Sequence, residues 1–462
     1  MRVLHIIEQL RCGGPLRSLI SQKKLSHHDQ GAIHHIVSLL AADRQAATEA
    51  SEAGISGSSR PDQQQLMRMI AEADVVQVHF WNSPHIYAWI RSELPPMRLL
   101  LWCHVNGEHA PHIIHKAMLS ASDLVVATAR CTLDLPVVQS MDQSRVRLHE
   151  STADFSRIGK PDRVPHEGFH VGYLGRIDFA KLHHRFAFMS RAVSVPSARF
   201  FLCGDGGSIA TLKNQFAELG IAERLIHQEY TTHIKSFLSQ LDVFGYPLAK
   251  GTFATAELAL QEAMYAGVPP VVFSHGGPRE LVQDGETGIV VHSEEQYAKA
   301  IEWLYHHPNE RKFLGENAAR AMRERTIAGT DEIYAAAMRR PRRSRQSLGS
   351  EIGNFDASCR GAWAYALSLD GIGAKDCMIS LTSKVESEIE IAERKIARSD
   401  ATIQSVVLNY RRLYPEDGYL RLWSALMLAN SGRHALAVSE FNAAIARGCD
   451  TSRVSHYLRR GS

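Results

Sequence analysis

The sequence predicts an α/β protein in two successive halves, followed by an all-α region. Three observations carry this. Short apolar runs alternate with helical stretches from residue 2 to about 325, the pattern of parallel strands joined by crossover helices. Glycine-rich turns follow those runs at Gly13-Gly14, Gly175 and Gly204–Gly207, at strand ends where ligands of such sheets gather. Beyond Arg345 the strand signals fade and the composition turns helical.

Taken in order, Arg2–Ile7, Ile33–Leu40, Asp74–Phe80, Arg98–Val105, Asp123–Ala129 and Val146–Thr152 read as strands. They make residues 1–165 one Rossmann-like half. Gly159–Gly168, rich in proline and charge, reads as a linker. The second half, residues 166–338, opens on the strand Phe169–Leu174 and continues with Arg199–Cys203, Asp242–Pro247, Val271–Phe273 and Ile289–His292. Between the last three, Ala256–Tyr265 has helical composition; Gly267 stops it and Pro269 bars its continuation. Pro278 suits the first position of another helix, and Tyr297–Arg325 reads as two more. Residues 339–350 form a basic linker beginning RRPRRSR, more often solvated than a binding patch. Residues 351–462 form the helical region.

Composition narrows the function. The chain has 462 residues, enough for two or three domains, and 52 basic against 49 acidic side chains. That balance gives no reason to expect nucleic acid. Seven cysteines, an odd number with no C-x-x-C pair, imply reduced thiols and a cytoplasmic protein. The opening MRVLHII is too short an apolar run for a signal peptide, and no 18-residue apolar span implies a membrane crossing. Peripheral contact at the inner face of the membrane stays open.

Candidate site residues fall where strands end. The start of the Ala256 helix, around Thr255 and Ala256, offers free amides and a positive dipole end to a phosphate. Glu262, in the body of that helix, is placed to accept hydrogen bonds from sugar hydroxyls, or is a solvated carboxylate. Arg176 and Lys181 follow a strand; an Arg fork and a Lys point charge suit a diphosphate. Gly13 and Gly14 let a ligand approach the backbone, or make an ordinary turn. His79 and His104 each end a strand, with either a structural or an acid/base role.

The stretch from Gly251 to Val291 contains EAMYAGVPPVV (Glu262–Val272) and GGPRELVQDGETG (Gly276–Gly288). It resembles the signature of the retaining glycosyltransferases of family 4, which have the GT-B fold: two Rossmann-like domains facing a cleft. The resemblance implies sugar transfer from a nucleotide-diphosphate-sugar, UDP- or GDP-linked, to a saccharide or lipid-linked acceptor, as in polysaccharide biosynthesis. It implies no cofactor and no obligatory metal. Glu262 would hold the donor ribose, Arg176 and Lys181 the diphosphate, the amides at Thr255-Ala256 assisting. Gly13-Gly14 would face the cleft, Tyr230 would lie near the base, and His104 near the sugar. In the tail, Pro415–Arg447 resembles one tetratricopeptide unit, with Cys359–Leu369 and Val385–Tyr410 as neighbouring helices; packing and protein-partner binding are equally open.

One departure stands out. The family pairs two glutamates as E-x7-E, the first beside the donor sugar. Counting back from Glu262 gives Ala254, and anchoring on Phe253 gives Gly251. Neither is a carboxylate. Glu257 is the nearest substitute, useful only if the helix starts late. A scaffold without turnover, or a nucleotide-sugar epimerase, are the rival readings.

Overall fold

A computed structural model describes residues 1–25, 32–159, 163–325, 329–344, 359–369, 371–399 and 401–450. Two all-parallel sheets form the α/β part. The first has seven strands: β1 (Arg2–Ile7), β2 (Ile33–Ser38), β3 (Ser56–Ser59), β4 (Val75–Phe80), β5 (Leu99–Cys103), β6 (Leu124–Ala127) and β7 (Val146–Leu148), in the order β3-β2-β1-β4-β5-β6-β7. The second has six: β8 (Phe169–Leu174), β9 (Ala198–Cys203), β10 (Leu225–Gln228), β11 (Val243–Tyr246), β12 (Pro270–Phe273) and β13 (Ile289–Val291), in the order β10-β9-β8-β11-β12-β13. In each, the order reverses beside the first strand, the switch point where α/β sheets place ligands.

The central strands β4, β5, β6, β11 and β12 are buried along their whole length, as parallel strands covered on both faces must be. Two strands escape the sequence reading. Polar β3, SGSS, is mostly exposed and sits at a sheet edge; a short polar strand there discourages pairing with another chain. β10, also an edge strand, alternates half-buried and exposed positions. Several predicted strands prove shorter: Val146–Thr152 pairs only over Val146–Leu148.

After β13, helices Glu294–His306 and Pro308–Glu324 cover the second sheet, and helix Asp331–Met338 returns to the first. Its Ile333, Tyr334, Ala336 and Ala337 pack on Val3, Val75, Leu100 and Trp102. The arginines that follow are engaged with the first domain. Arg342 donates to the carbonyls of Ala71 (2.8 Å), Ala73 (2.9 Å) and Pro96 (3.0 Å), and Arg343 pairs with Asp123 at 2.9 Å. Arg345, the last of the basic run, lies outside the described residues.

The tail contains helices Arg360–Leu369, Gly371–Thr382, Glu386–Ala397, Ala401–Leu413, Gly418–Asn430 and His434–Ile445. Tyr365, Tyr410, Trp423 and Phe441 share its core. It packs on the first domain rather than trailing from it. Tyr410 donates its hydroxyl to Asn82 Oδ1 (3.1 Å), and Asn82 donates to Ser368 Oγ (3.0 Å) and the Pro111 carbonyl (2.6 Å). All of these are buried. Among the described residues, no helix is long and apolar enough to cross a membrane.

Candidate active site

Residues just past the strand ends of one sheet meet those of the other. After β5, Asn106 N–H donates to the Phe253 carbonyl (3.0 Å) and its amide to the Thr252 carbonyl (2.9 Å). After β6, the amides of Arg130 and Cys131 donate to Glu280, at 3.0 and 2.9 Å. After the Gly13-Gly14 loop, Arg17 donates to the Tyr230 hydroxyl (2.9 Å) from one helical turn into Gly14–Leu25. The two sheets therefore present their C-terminal ends to a shared cleft. A Cβ on Gly13 or Gly14 would meet nothing within 4 Å, so this loop borders open space.

The signature helix starts later than its composition suggests, at Leu258. Glu257 takes a left-handed backbone (φ 47°, ψ 55°) and occupies the cap position. No helix can include that conformation, so the free amides belong to Leu258 and the residues after it, with Thr255 and Ala256 in the approach. The following loop is held close: a Cβ on Gly277 would sit 1.9 Å from the Thr255 carbonyl oxygen. Only glycine fits there.

Glu257 and Glu262 face different partners. The Glu257 side chain is 2% exposed and accepts from Lys181 Nζ at 3.2 Å and from the Tyr246 hydroxyl. Burial and the Glu257 charge push the Tyr246 phenol well above its ordinary range, so it stays a donor. Lys181 also lies over the Tyr246 ring, 5.5 Å from its centre. Arg176 is open by contrast: its side chain is 57% exposed and makes a 3.3 Å contact with Asp178. One of the two basic residues is thus preset, and the other is free to swing.

Glu262 is buried and bonded to Arg157 Nη1 at 3.1 Å. Burial raises its carboxyl to about 7; Arg157 and Arg17 pull it down and Asp154 pushes it up, all by less. Gln261, fully buried next to it, ties the helix to the first domain through the Ser151 carbonyl (2.9 Å) and the Ala153 amide (3.1 Å). Arg157, Arg17 and Gln261 were not singled out in the sequence. Arg157 had only its place three residues past Asp154, between the strand Val146–Leu148 and the linker from Gly159. Arg17 had only its place after a glycine pair.

His104 follows β5, partly buried, with Nε2 2.7 Å from His79 Nδ1. Burial lowers His104 to about 4 and His79 well below its ordinary value, so both imidazoles are neutral. Ala254, at the position of the expected first glutamate, is buried.

With this geometry in place, comparison with known proteins locates the likeness. Residues 155–321 match the family Glycosyl transferases group 1. The match spans the second domain and stops before the tail. Among curated proteins, a putative glycosyltransferase EpsD of Bacillus subtilis is 27% identical over 150 residues, covering 31% of this chain and 39% of that protein. A GDP-mannose-dependent alpha-mannosyltransferase of Corynebacterium glutamicum is 30% identical over 137 residues, 29% of this chain and 31% of that one. The chain thus spans less than half the length of these two relatives. A D-inositol 3-phosphate glycosyltransferase of Corynebacterium aurimucosum aligns further: 24% identity over 307 residues, 57% of this chain and 72% of that protein. Among solved structures, Anabaena HepE in complex with UDP and glucose superposes with a TM-score of 0.59 at 17% identity, covering 72% of this chain and 97% of that one. A glycosyltransferase from Rickettsia africae gives 0.58 at 13%. The α/β part has the GT-B fold.

Proposed function

We propose that this chain is a glycosyltransferase that moves a sugar from a nucleotide-diphosphate-sugar to a hydroxyl acceptor, with retention at the anomeric carbon, as in family 4. The observation that carries the reading is the clustering at one sheet end of Lys181, Arg176, the helix start after Glu257, and the buried carboxylate of Glu262. The helix amides, Lys181 and Arg176 supply positive charge for a diphosphate without a metal ion. Glu262, about one turn further on, is placed for the ribose hydroxyls. Neighbours of known structure bind UDP and UDP-glucose, and one relative is named for GDP-mannose, so UDP- and GDP-sugars are the donor classes to test. A saccharide or lipid-linked acceptor would enter from the first domain, near His104 and Gly13-Gly14. The tetratricopeptide-like tail, packed on that domain beside Asn82, would shape the acceptor side or hold a protein partner. Nucleoside diphosphate release from a panel of sugar donors, with and without saccharide acceptors, tests the reading. Tight nucleotide binding with no release from any donor would favour a scaffold, the reading to which Ala254 and the engaged carboxylate of Glu257 lend weight.

The raised carboxyl of Glu262 gives this reading a pH signature. Above pH 7 its carboxylate accepts ribose O–H donors with both oxygens; below pH 7 it takes up a proton and loses part of that capacity. Nucleotide affinity is therefore expected to weaken up to about fivefold between pH 7 and pH 6, as the ionised fraction of a group titrating at about 7 falls from about one half to about one tenth. The ligand's own phosphate titrates near pH 6, so calorimetry should compare wild type with Glu262→Gln. A flatter profile in the variant is expected, and identical profiles would remove Glu262 from the ribose.

A further inference from the structure

Four buried or partly buried histidines form a continuous chain through the first sheet. His34 Nδ1 lies 2.8 Å from His5 Nε2, His5 Nδ1 lies 3.1 Å from His79 Nε2, and His79 Nδ1 lies 2.7 Å from His104 Nε2. They come from adjoining strands β2, β1 and β4 and from the residue following β5. Apolar packing alone would not choose histidine here, since each imidazole buries two polar nitrogens that must be matched.

A neutral imidazole donates from one nitrogen and accepts at the other. Such a chain therefore has two polarities only, and fixing one member fixes all. The fixing contact is at His79. Its Nε2 lies 3.4 Å from the amide nitrogen of Gln77, a group that only donates. In this orientation the Tyr334 hydroxyl donates to Gln77 Oε1 at 2.9 Å; the turned amide would donate to Tyr334 and present its oxygen to His79, which is the opposite polarity. Tyr334 sits on helix Asp331–Met338, which returns from the second domain to pack on the first.

We propose that Tyr334, Gln77 and His79 act as positioning residues that set which nitrogen of His104 carries the proton. With Gln77 donating, His79 Nε2 must accept and His79 Nδ1 must donate to His104 Nε2. His104 is left with its proton on Nδ1. The same polarity runs the other way, with His34 Nδ1 donating to His5 and His5 Nδ1 donating to His79, whose single Nε2 lone pair is shared between His5 at 3.1 Å and the Gln77 amide at 3.4 Å. His104 then offers a ligand a hydrogen-bond donor rather than a lone pair, so its partner is an oxygen acceptor such as a sugar hydroxyl or a phosphate oxygen. This rests on the proposed function only for the identity of that partner; the tautomer itself is a property of the free protein.

The test reads the tautomer directly. In full-length protein labelled with 15N-histidine, nitrogen shifts at pH 7.5 distinguish the two forms, and the His104 pair is assigned by its loss in His104→Gln. Wild type is expected to show roughly a fivefold or greater excess of the Nδ1–H form, the ratio one hydrogen bond supports. Tyr334→Phe keeps the ring packing and frees the Gln77 amide to turn; Gln77→Met keeps the volume and removes the donor. Each is expected to bring the two forms toward equal populations, and Gln77→Met serves if Tyr334→Phe does not fold. An Nε2–H form in wild type, or an unchanged tautomer in both variants, would overturn the proposal. Neither result depends on turnover, so each is separable from failure of the glycosyltransferase reading.

Discussion

Lys181→Met is expected to cost about 3–5 kcal/mol of folding stability, and Glu257→Gln in the same chain is expected to return most of it. The reason is the Glu257 carboxylate, 2% exposed and held by Lys181 Nζ at 3.2 Å. Removing one partner of a buried ion pair strands the other charge, which is the expensive event. Neutralising both removes the desolvation cost along with the attraction. Tyr246 can still donate its hydroxyl to the glutamine oxygen that replaces the carboxylate. Chemical denaturation of wild type, the two single variants and the double variant forms a cycle with a strong coupling term. Additive losses would mean that Lys181 and Glu257 are stabilised independently, and that the left-handed turn at Glu257 owes nothing to the pair.

That buried pair also marks how far the sequence could be read. The apolar runs of β1, β4, β5, β8, β9 and β12 were legible because buried parallel strands leave few positions polar. The signature after β11 was legible because Gly277 is forced, meeting the Thr255 backbone, and the turn after β9 because Gly204, at φ +139°, meets the Gly175 backbone. Polar β3 was not, since its pairing is imposed by the neighbouring strand β2 and not by its own side chains. Helix composition placed the start at Ala256, but a single left-handed residue moved it to Leu258. Propensity does not foresee a conformation that tertiary partners hold in place. Side chains that meet only across the cleft, such as Arg157 with Glu262 and Arg17 with Tyr230, are 105 and 213 residues apart. No local pattern brings them together. The tail's attachment through Asn82, Ser368 and Tyr410 was hidden for the same reason.

Arg176→Ala combined with Lys181→Met and Glu257→Gln is expected to abolish most nucleoside diphosphate binding while leaving the protein folded. Testing Lys181 alone would confuse lost affinity with lost stability, because that lysine serves the Glu257 pair as well. Lysine carries three donors, so a diphosphate can share it with Glu257 without breaking the pair. Arg176 is more exposed and its contact with Asp178 is long at 3.3 Å, so it can turn to a phosphate at little cost. A hydrogen bond to a charged group contributes roughly 1.5–3 kcal/mol. Losing two such contacts corresponds to about 10²–10⁴ in Kd at 1.4 kcal/mol per tenfold. Arg176→Ala alone should show about half of that in free energy and no change in denaturation midpoint. The Lys181→Met/Glu257→Gln pair, without the Arg176 change, should show the other half. Calorimetry with UDP and GDP reads each step at constant pH. If the triple variant binds as wild type does, the diphosphate is not held at the end of β8, and the helix start at Leu258 would have to hold it alone.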